Sequence, residues 1–114
     1  MDAIEIVLLY DYYGDLLTDR QKECFEMRYY QDLSLGEIAA ELGISRQGVH
    51  ENLSRAEALL RHMEAKTGCV SRDIACRKAA KSILEAARQL QSHPDKAVST
   101  QAEKIILAAH ELEE

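Results

Sequence analysis

Apolar residues along this chain recur mostly at intervals of three and four positions, and stretches that alternate apolar with polar residues are nearly absent. The first spacing places side chains on one face of a helix, whereas alternation is typical of strands. Runs of β-branched residues are short, and no Asn-Gly or Asp-Gly pair is present to form a tight hairpin turn. The pattern therefore predicts an all-α protein that folds as a helical bundle.

The first helix is predicted from about residue 3 to residue 13, where Gly14 provides a stop. An inward face at helical spacing requires apolar residues three and four positions apart. The residues that meet this requirement, and that we expect to face inward, are Ile4, Val7, Leu8 and Tyr12.

Two capping boxes mark the starts of the next helices. Thr18 with Gln21 begins a second helix that continues to about residue 31, and Ser34 with Glu37 begins a third. In such a box the first side chain accepts a hydrogen bond from the third helical amide, and the second side chain returns one. Gly43 ends the third helix early, because glycine readily adopts the left-handed conformation that terminates helices.

The fourth helix is predicted to be long. Ser45 caps its start, and the apolar spacing continues to about Lys66 before Gly68 supplies the stop. The residues expected to face inward along it are Val49, Leu53, Ala56, Leu60 and Met63.

Two further helices are predicted near the C-terminus, one capped by Ser71 and one beginning near Thr100 with Glu103 as its capping partner. The short segment between them favours an antiparallel helical hairpin. Its apolar stripe is expected to contain Ile74, Ala75, Lys78, Ile83, Leu84, Ala87 and Leu90, followed in the last helix by Ile105, Ile106, Ala109 and Leu112. The chain thus divides into a domain at 1–68 and a hairpin at 69–114, which packs on that domain or mediates association.

The central run EIAAELGISRQGVHENLSRA, residues 37–56, has the spacing of a helix-turn-helix. Such a motif needs a small residue where the helices cross, a turn residue that tolerates positive φ, and apolar anchors on the second helix. All three requirements are met, by Ile38, Ala39, Leu42, Gly43, Ile44, Val49 and Leu53.

The outward face of the fourth helix supplies candidate nucleic-acid contacts. Arg46 and Gln47 could reach base edges in a major groove, and Ser45 with nearby amides could hold a phosphate. The complete candidate set is Ser45, Arg46, Gln47, His50, Ser54 and Arg55. An ordinary solvated helix face remains the alternative interpretation, and Glu51 stands where a helix facing phosphate would prefer a base.

Charge is distributed unevenly over a chain with a net charge of −6. Residues 1–33 carry eight acidic against three basic residues, a net of −5, whereas residues 46–81 have a net of +4. An anionic partner is therefore expected to approach the middle of the chain. The supporting basic surface is predicted to contain Lys66, Arg72, Arg77, Lys78 and Lys81.

Other classes of protein have little support. Acidic residues replace the basic start of a signal peptide and interrupt any membrane span near the N-terminus, so a cytoplasmic protein without a membrane span is expected. The three cysteines are not spaced as a metal site. No Gly-rich phosphate loop, nucleophile elbow or His-Glu metal helix occurs, so we expect no enzymatic activity, no cofactor and no metal.

The run SLGEIAAELGISRQGVHENLSRAEALL, preceded by LTDRQKECFEMRYYQDL, resembles region four of bacterial sigma factors over about residues 17–60. That resemblance implies a promoter-binding helix-turn-helix of the winged-helix-like DNA-binding superfamily. Sigma factors usually carry basic residues just after Val49, whereas this chain has His50, Glu51 and Asn52. No other sigma region is present.

The chain as far as about Gly68 is also similar to the small YlxM family of helix-turn-helix proteins from Gram-positive bacteria. This resemblance implies a regulatory protein linked with the signal recognition particle pathway, through its targeting GTPase and receptor. The leading hypothesis is a regulatory protein that binds DNA or structured RNA. The alternatives are an adaptor for the targeting GTPase without direct nucleic-acid binding, and a homodimer formed through the C-terminal helices.

Overall fold

The computed structural model describes residues 3–113, and within this range every regular element is helical. The predicted all-α fold is confirmed. The helices are α1 (Ala3–Tyr13), α2 (Asp19–Tyr29), α3 (Leu35–Leu42), α4 (Arg46–Thr67), α5 (Cys69–Gln91) and α6 (Lys96–Glu113), with a short 3-10 turn at Gly14–Leu16 after α1. Met1, Asp2 and Glu114, which the predicted domains include, lie outside the described residues.

The chain forms two compact units, Met1–Val70 and Ser71–Glu114. In the first unit α4 is the central element, because α1, α2 and α3 all pack against it. Its core consists of two clusters. The first contains Ile6, Leu9, Tyr13, Leu17, Phe25, Ala56, Leu60 and Val70. The second contains Cys24, Ile38, Ala39, Val49 and Leu53.

The inward face of α1 differs from the predicted one. Ile4 is 82% exposed and Tyr12 is also exposed, while Val7 and Leu8 are only half-buried against the first cluster. The buried positions are Ile6, Leu9 and Tyr13. Residues 6–10 read IVLLY and are all apolar, so several rotations of the helix would bury apolar side chains equally well. Packing against α2 and α4 decides which rotation is adopted.

Both predicted capping boxes are confirmed. The Gln21 amide donates to Thr18 Oγ1 at 3.2 Å, and the Thr18 amide donates to Gln21 Oε1 at 2.9 Å. The Glu37 amide donates to Ser34 Oγ at 3.1 Å, and the Ser34 amide donates to Glu37 Oε1 at 3.0 Å. The hydrogen bond from the Ser34 backbone also lowers the pKa of Glu37, because it favours the ionised carboxylate.

Two glycines end their helices as predicted. Gly43 has a φ of +68° after α3, and Gly68 has a φ of +62° after α4. Both lie in the left-handed region, which glycine enters without the steric cost that a Cβ imposes. The long fourth helix is therefore confirmed, with its end at Thr67.

The fifth helix begins at Cys69, so Ser71 is not its cap. Two side chains from the end of α4 accept the first amides instead. Glu64 Oε1 accepts from the Val70 amide at 3.0 Å, and Thr67 Oγ1 accepts from the Cys69 amide at 3.3 Å. Because these acceptors precede Gly68, a search for a Ser or Thr after the glycine could not find them.

The sixth helix begins at Lys96, which places the predicted cap Thr100 inside its second turn. Asp95 Oδ1 accepts from the Ala97 amide at 2.9 Å. An Asp side chain at this position caps a helix as well as Ser or Thr does. The Thr100–Glu103 prediction was therefore wrong because an acceptable cap lies one turn earlier.

In the second unit the buried side chains are alanines, with one leucine. They are Ala80, Leu84 and Ala87 on α5, with Ala102 and Ala109 on α6. Of the residues predicted to form the apolar stripe, Leu84, Ala87 and Ala109 are buried and Ile106 is half-buried, whereas Ala75 and Lys78 are exposed. Ile74, Ile83, Leu90, Ile105 and Leu112 are exposed. No helix in the part of the chain that the structure describes is long and apolar enough to cross a membrane.

Candidate nucleic-acid interface

The α3–α4 pair is held in a fixed arrangement by the second core cluster. Ile38 and Ala39 of α3 pack against Val49 and Leu53 of α4, and Cys24 of α2 belongs to the same cluster. All five side chains are at most 8% exposed. Well-packed interiors resist displacement, so the outward face of α4 is presented by a rigid support.

Ser45 forms the N-terminal cap of α4. Its Oγ accepts from the Gly48 amide at 2.9 Å, and its carbonyl accepts from the Val49 amide at 3.0 Å. The hydroxyl hydrogen of Ser45 is left to donate elsewhere. The first amides of a helix have no acceptor within the helix, and the helix dipole favours negative charge at that end. The start of α4 is therefore suited to a phosphate group.

The five candidate residues that follow Ser45 are all exposed, most of them on the side of α4 that faces away from the core, whereas Arg46 lies on the flank of α4 that meets α3. Spacing by four places Arg46, His50 and Ser54 along one edge of that side, while Gln47 lies near its middle. Arg55 lies on the opposite edge. Arg46 and Arg55 therefore lie on opposite sides of the helix. This separation suits them to contact the two strands of a nucleic-acid groove rather than a single phosphate.

Glu51 lies next to Gln47 in the middle of the outward face and is exposed. Among residues 3–113, no ion pair joins Glu51 to Arg55, its neighbour one turn later. The other two carboxylates of α4 are held on its inner flanks. Tyr29 Oη donates to Glu57, and Tyr13 Oη donates to Glu64 Oε1 at 2.7 Å. Glu51 is therefore the acidic side chain of α4 that an approaching phosphate would meet.

Arg46 rests against the first turn of α3. A Cβ built on Gly36 would lie 2.9 Å from Arg46 Nη2, closer than real Cβ atoms approach, and 3.0 Å from its Nε. The guanidinium can occupy this position only because residue 36 is glycine. Sequence reasoning did not identify Gly36 as part of the site. The signal was a glycine in the first turn of a helix, where alanine is the better helix former, so that a packing reason for glycine is to be sought.

The predicted supporting basic residues are distributed over two helices, α4 and α5. Lys66 belongs to the first unit, and the others are exposed on α5 in the second unit. Arg77 and Lys81 lie one turn apart on one side of α5, and Arg77 pairs with Asp73 at 3.6 Å. Arg72 points to another side of the helix. Arg88, which was not predicted, continues the row of Arg77 and Lys81 and is exposed.

The side of the first unit formed by α1 and α2 is acidic. An open groove of about 360 Å³ is lined by Tyr10, Asp11, Gly14, Asp15, Lys22 and Glu26. Tyr10 stacks on Phe25 there with ring centroids 4.2 Å apart, and burial together with the Glu26 charge raises the pKa of Tyr10 to about 12. This groove would repel phosphate, so an anionic polymer is expected to approach the α4 face. Within residues 3–113, no group of three or more His, Cys, Asp or Glu side chains could hold a metal ion.

Comparison with known proteins gives a family match over most of the chain. The family model UPF0122, described as "Putative helix-turn-helix protein, YlxM / p13 like", matches residues 2–101. That description names a helix-turn-helix protein and no enzymatic activity.

Individual relatives agree with this match. A UPF0122 protein of Thermoanaerobacter pseudethanolicus is 56% identical over 71 residues, which are 62% of this chain and 61% of the relative. One from Acetivibrio thermocellus is 46% identical over 86 residues, which are 75% of this chain and 74% of the relative. One from Lacticaseibacillus casei is 40% identical over 98 residues, 85% of each chain. The chain thus spans 61% of the length of the Thermoanaerobacter relative that it matches.

Proposed function

The chain belongs to the UPF0122 family of YlxM/p13-like helix-turn-helix proteins, and on this basis we propose that it is a regulatory protein that binds nucleic acid through α3 and α4. The observation that carries the proposal is the outward face of α4. There Arg46, Gln47 and His50 are exposed beside a capped helix N-terminus, and a buried cluster holds the helix in place. An α-helix presented in this way fits a major groove.

The charge of the first unit limits how this binding can work. Most of the non-specific affinity of a protein for nucleic acid comes from Lys and Arg side chains that neutralise backbone phosphates. A chain with a net charge of −6 gains little affinity in this way. Binding is therefore proposed to depend on contacts to a particular groove or RNA structure. Duplex DNA of the kind that sigma region four binds and the RNA of the signal recognition particle are the two ligand classes to compare.

The test is fluorescence anisotropy with duplex DNA that carries a promoter element of the kind that sigma region four binds, and with a bacterial signal recognition particle RNA, at about 50 mM and about 200 mM salt. Arg46→Ala/Gln47→Ala is expected to weaken binding about tenfold, since one well-placed contact to a base is worth about 1–3 kcal/mol. The slope of log K against log salt should fall by about one, because one phosphate-neutralising charge is lost.

Arg20→Ala is the matched control for this experiment. It removes the same single charge from an exposed position on α2, away from the outward face of α4. Equal losses in both variants would show that only net charge matters and would contradict groove binding by α4. If the protein binds neither nucleic acid at either salt concentration, the proposed function is rejected.

Gly36→Ala is expected to raise the free energy of unfolding by up to about 1 kcal/mol, because alanine is the better helix former. The same change must displace the Arg46 guanidinium from α3. Binding is then expected to weaken about threefold, the cost of ordering one freed side chain on binding. Thermal unfolding and anisotropy measure the two effects separately.

The double variant Gly36→Ala/Arg46→Ala supplies the control. If Gly36 acts through the arginine, adding Gly36→Ala to Arg46→Ala should leave the affinity unchanged. A further loss in the double variant would mean that Gly36 contributes by another route.

A second candidate function is an adaptor that binds the targeting GTPase of the signal recognition particle pathway. Glu51 in the middle of the outward face and the acidic α1–α2 side favour it, because both disfavour nucleic acid and suit a basic protein surface. Binding to the purified GTPase, in the absence of any nucleic-acid binding, would support this alternative over the first.

A further inference from the structure

The second unit leaves an apolar strip uncovered. Six large apolar side chains of this unit are exposed, and four of them follow one strip, namely Ile83 at 41%, Leu90 at 46%, Ile105 at 42% and Leu112 at 50%, while Ile74 and Leu107 lie outside it. We name the following residues the exposed seam: Ala79, Ile83, Ala86 and Leu90 on α5, and Gln101, Ile105, Ala108 and Leu112 on α6. It contains no charged residue. Contiguous apolar strips of this kind mark interaction surfaces on soluble proteins.

The exposed seam has the same spacing on both helices. Its members follow one another at intervals of four, three and four, the spacing of apolar positions in helix bundles. It also has the same length on each helix, from residue 79 to 90 and from 101 to 112. On α5 it alternates small and large side chains, so a large residue of a facing helix can fill the space above each alanine.

On both helices the exposed seam lies next to a row of buried residues, and it is offset from that row in the same direction around the helix axis. Ala79, Ile83 and Ala86 each precede a buried residue by one position, and so do Gln101 and Ala108. The segment 92–95 between the helices is short, and the unit is compact, which makes the pair antiparallel. Equal offsets in an antiparallel pair place both strips on the same side of the hairpin.

A helix with two adjacent apolar seams has two helical neighbours in a bundle. Only one of the two seams is buried within the chain. We propose that a second copy of this chain covers the exposed seam, and that the two hairpins form a symmetric four-helix bundle. In this dimer α5 of each copy packs on α6 of the other.

Charge favours this pairing of helices over others. α5 carries five basic and two acidic residues, a net of +3, whereas α6 carries two basic and three acidic residues, a net of −1. Placing α5 against α5 would bring two positively charged helices together. Placing α5 against α6 pairs helices of opposite charge, and a two-fold axis repeats that contact, as a self-complementary interface requires.

Sedimentation equilibrium of the full chain over about 1–200 μM measures the association, and a dimer is expected within that range. Ile83→Lys should raise the dissociation constant at least tenfold, because each dimer would bury two lysines. Leu16→Lys is the control, since Leu16 is 56% exposed in the first unit and lies outside the seam. Far-ultraviolet circular dichroism checks that each variant folds.

A mixing experiment tests which helices meet. Ile83→Lys and Ile105→Glu should each be monomeric alone, and an equimolar mixture should regain a dimer. In that mixed dimer the lysine of one copy faces the glutamate of the other, while the remaining contact is wild type. If α5 packed on α5, the mixture would stay monomeric.

Three results would overturn the proposal. They are a wild-type chain that is monomeric at every concentration, a dimer that Ile83→Lys leaves intact, and a mixture that does not associate. The outcome does not depend on nucleic-acid binding, because no ligand enters the measurement.

Discussion

Phe25→Ala is expected to lower the free energy of unfolding by about 3–5 kcal/mol, the loss typical of a fully buried aromatic residue. Phe25 is 0% exposed and joins α2 to the first core cluster. Its ring stacks on Tyr10 with centroids 4.2 Å apart and lies 4.5 Å from the ring of Tyr29. Alanine would remove both ring contacts and leave a cavity that rigid helices on three sides cannot close.

Urea unfolding followed by circular dichroism measures this change. Leu16→Ala is the matched control, because Leu16 precedes α2 but is 56% exposed, and its loss should cost well under about 1 kcal/mol. A similar small loss for Phe25→Ala would mean that the first cluster does not stabilise the unit as its packing implies.

Gly43→Val is expected to destabilise the first unit by about 1–3 kcal/mol through backbone strain. Gly43 has a φ of +68°, and a Cβ added there would meet nothing within 4 Å. The loss is therefore not caused by a clash with neighbouring atoms. It arises because a β-branched residue is strongly disfavoured in the left-handed region.

Gly43→Asn separates strain from side-chain size. Asparagine tolerates the left-handed conformation far better than valine, so it should cost less than half as much in the same thermal unfolding assay. Equal losses for Val and Asn would show that Gly43 is needed for a reason other than its φ. Because Gly43 joins α3 to α4, the valine variant should also weaken any binding by the α4 face.

Local features of the first unit could be predicted because they depend on residues close together in the chain. Each capping box closes between a residue and the third one after it, and each glycine stop reflects the conformation of a single residue. For the same reason the helix-turn-helix and the length of α4 could be predicted from the local sequence, in which Gly43 ends α3 and Ser45 caps α4.

Several predictions failed because the choice depended on residues of other helices, whereas the start of α6 was missed although its cap, Asp95, directly precedes the helix. The sequence of α1 allows several buried faces, and only its neighbours select the one with Ile6 and Leu9 inside. The start of α5 depends on Glu64 from the preceding helix. In the site, the contact of Arg46 with Gly36 joins residues ten positions apart on different helices, so no spacing within one helix could indicate it.

The sequence by itself thus determined that the chain is all-α, where most helices begin or end, and which residues of α4 face outward. These properties follow from φ preferences, side-chain caps and the period of the helix, all of which act over a few residues. The tertiary structure alone decided which face of α1 is buried, where Arg46 rests, and which of two apolar seams on α5 and α6 is left exposed. Burial is shared among helices, so a sequence with apolar residues on several faces is compatible with more than one packing until its neighbours are in place.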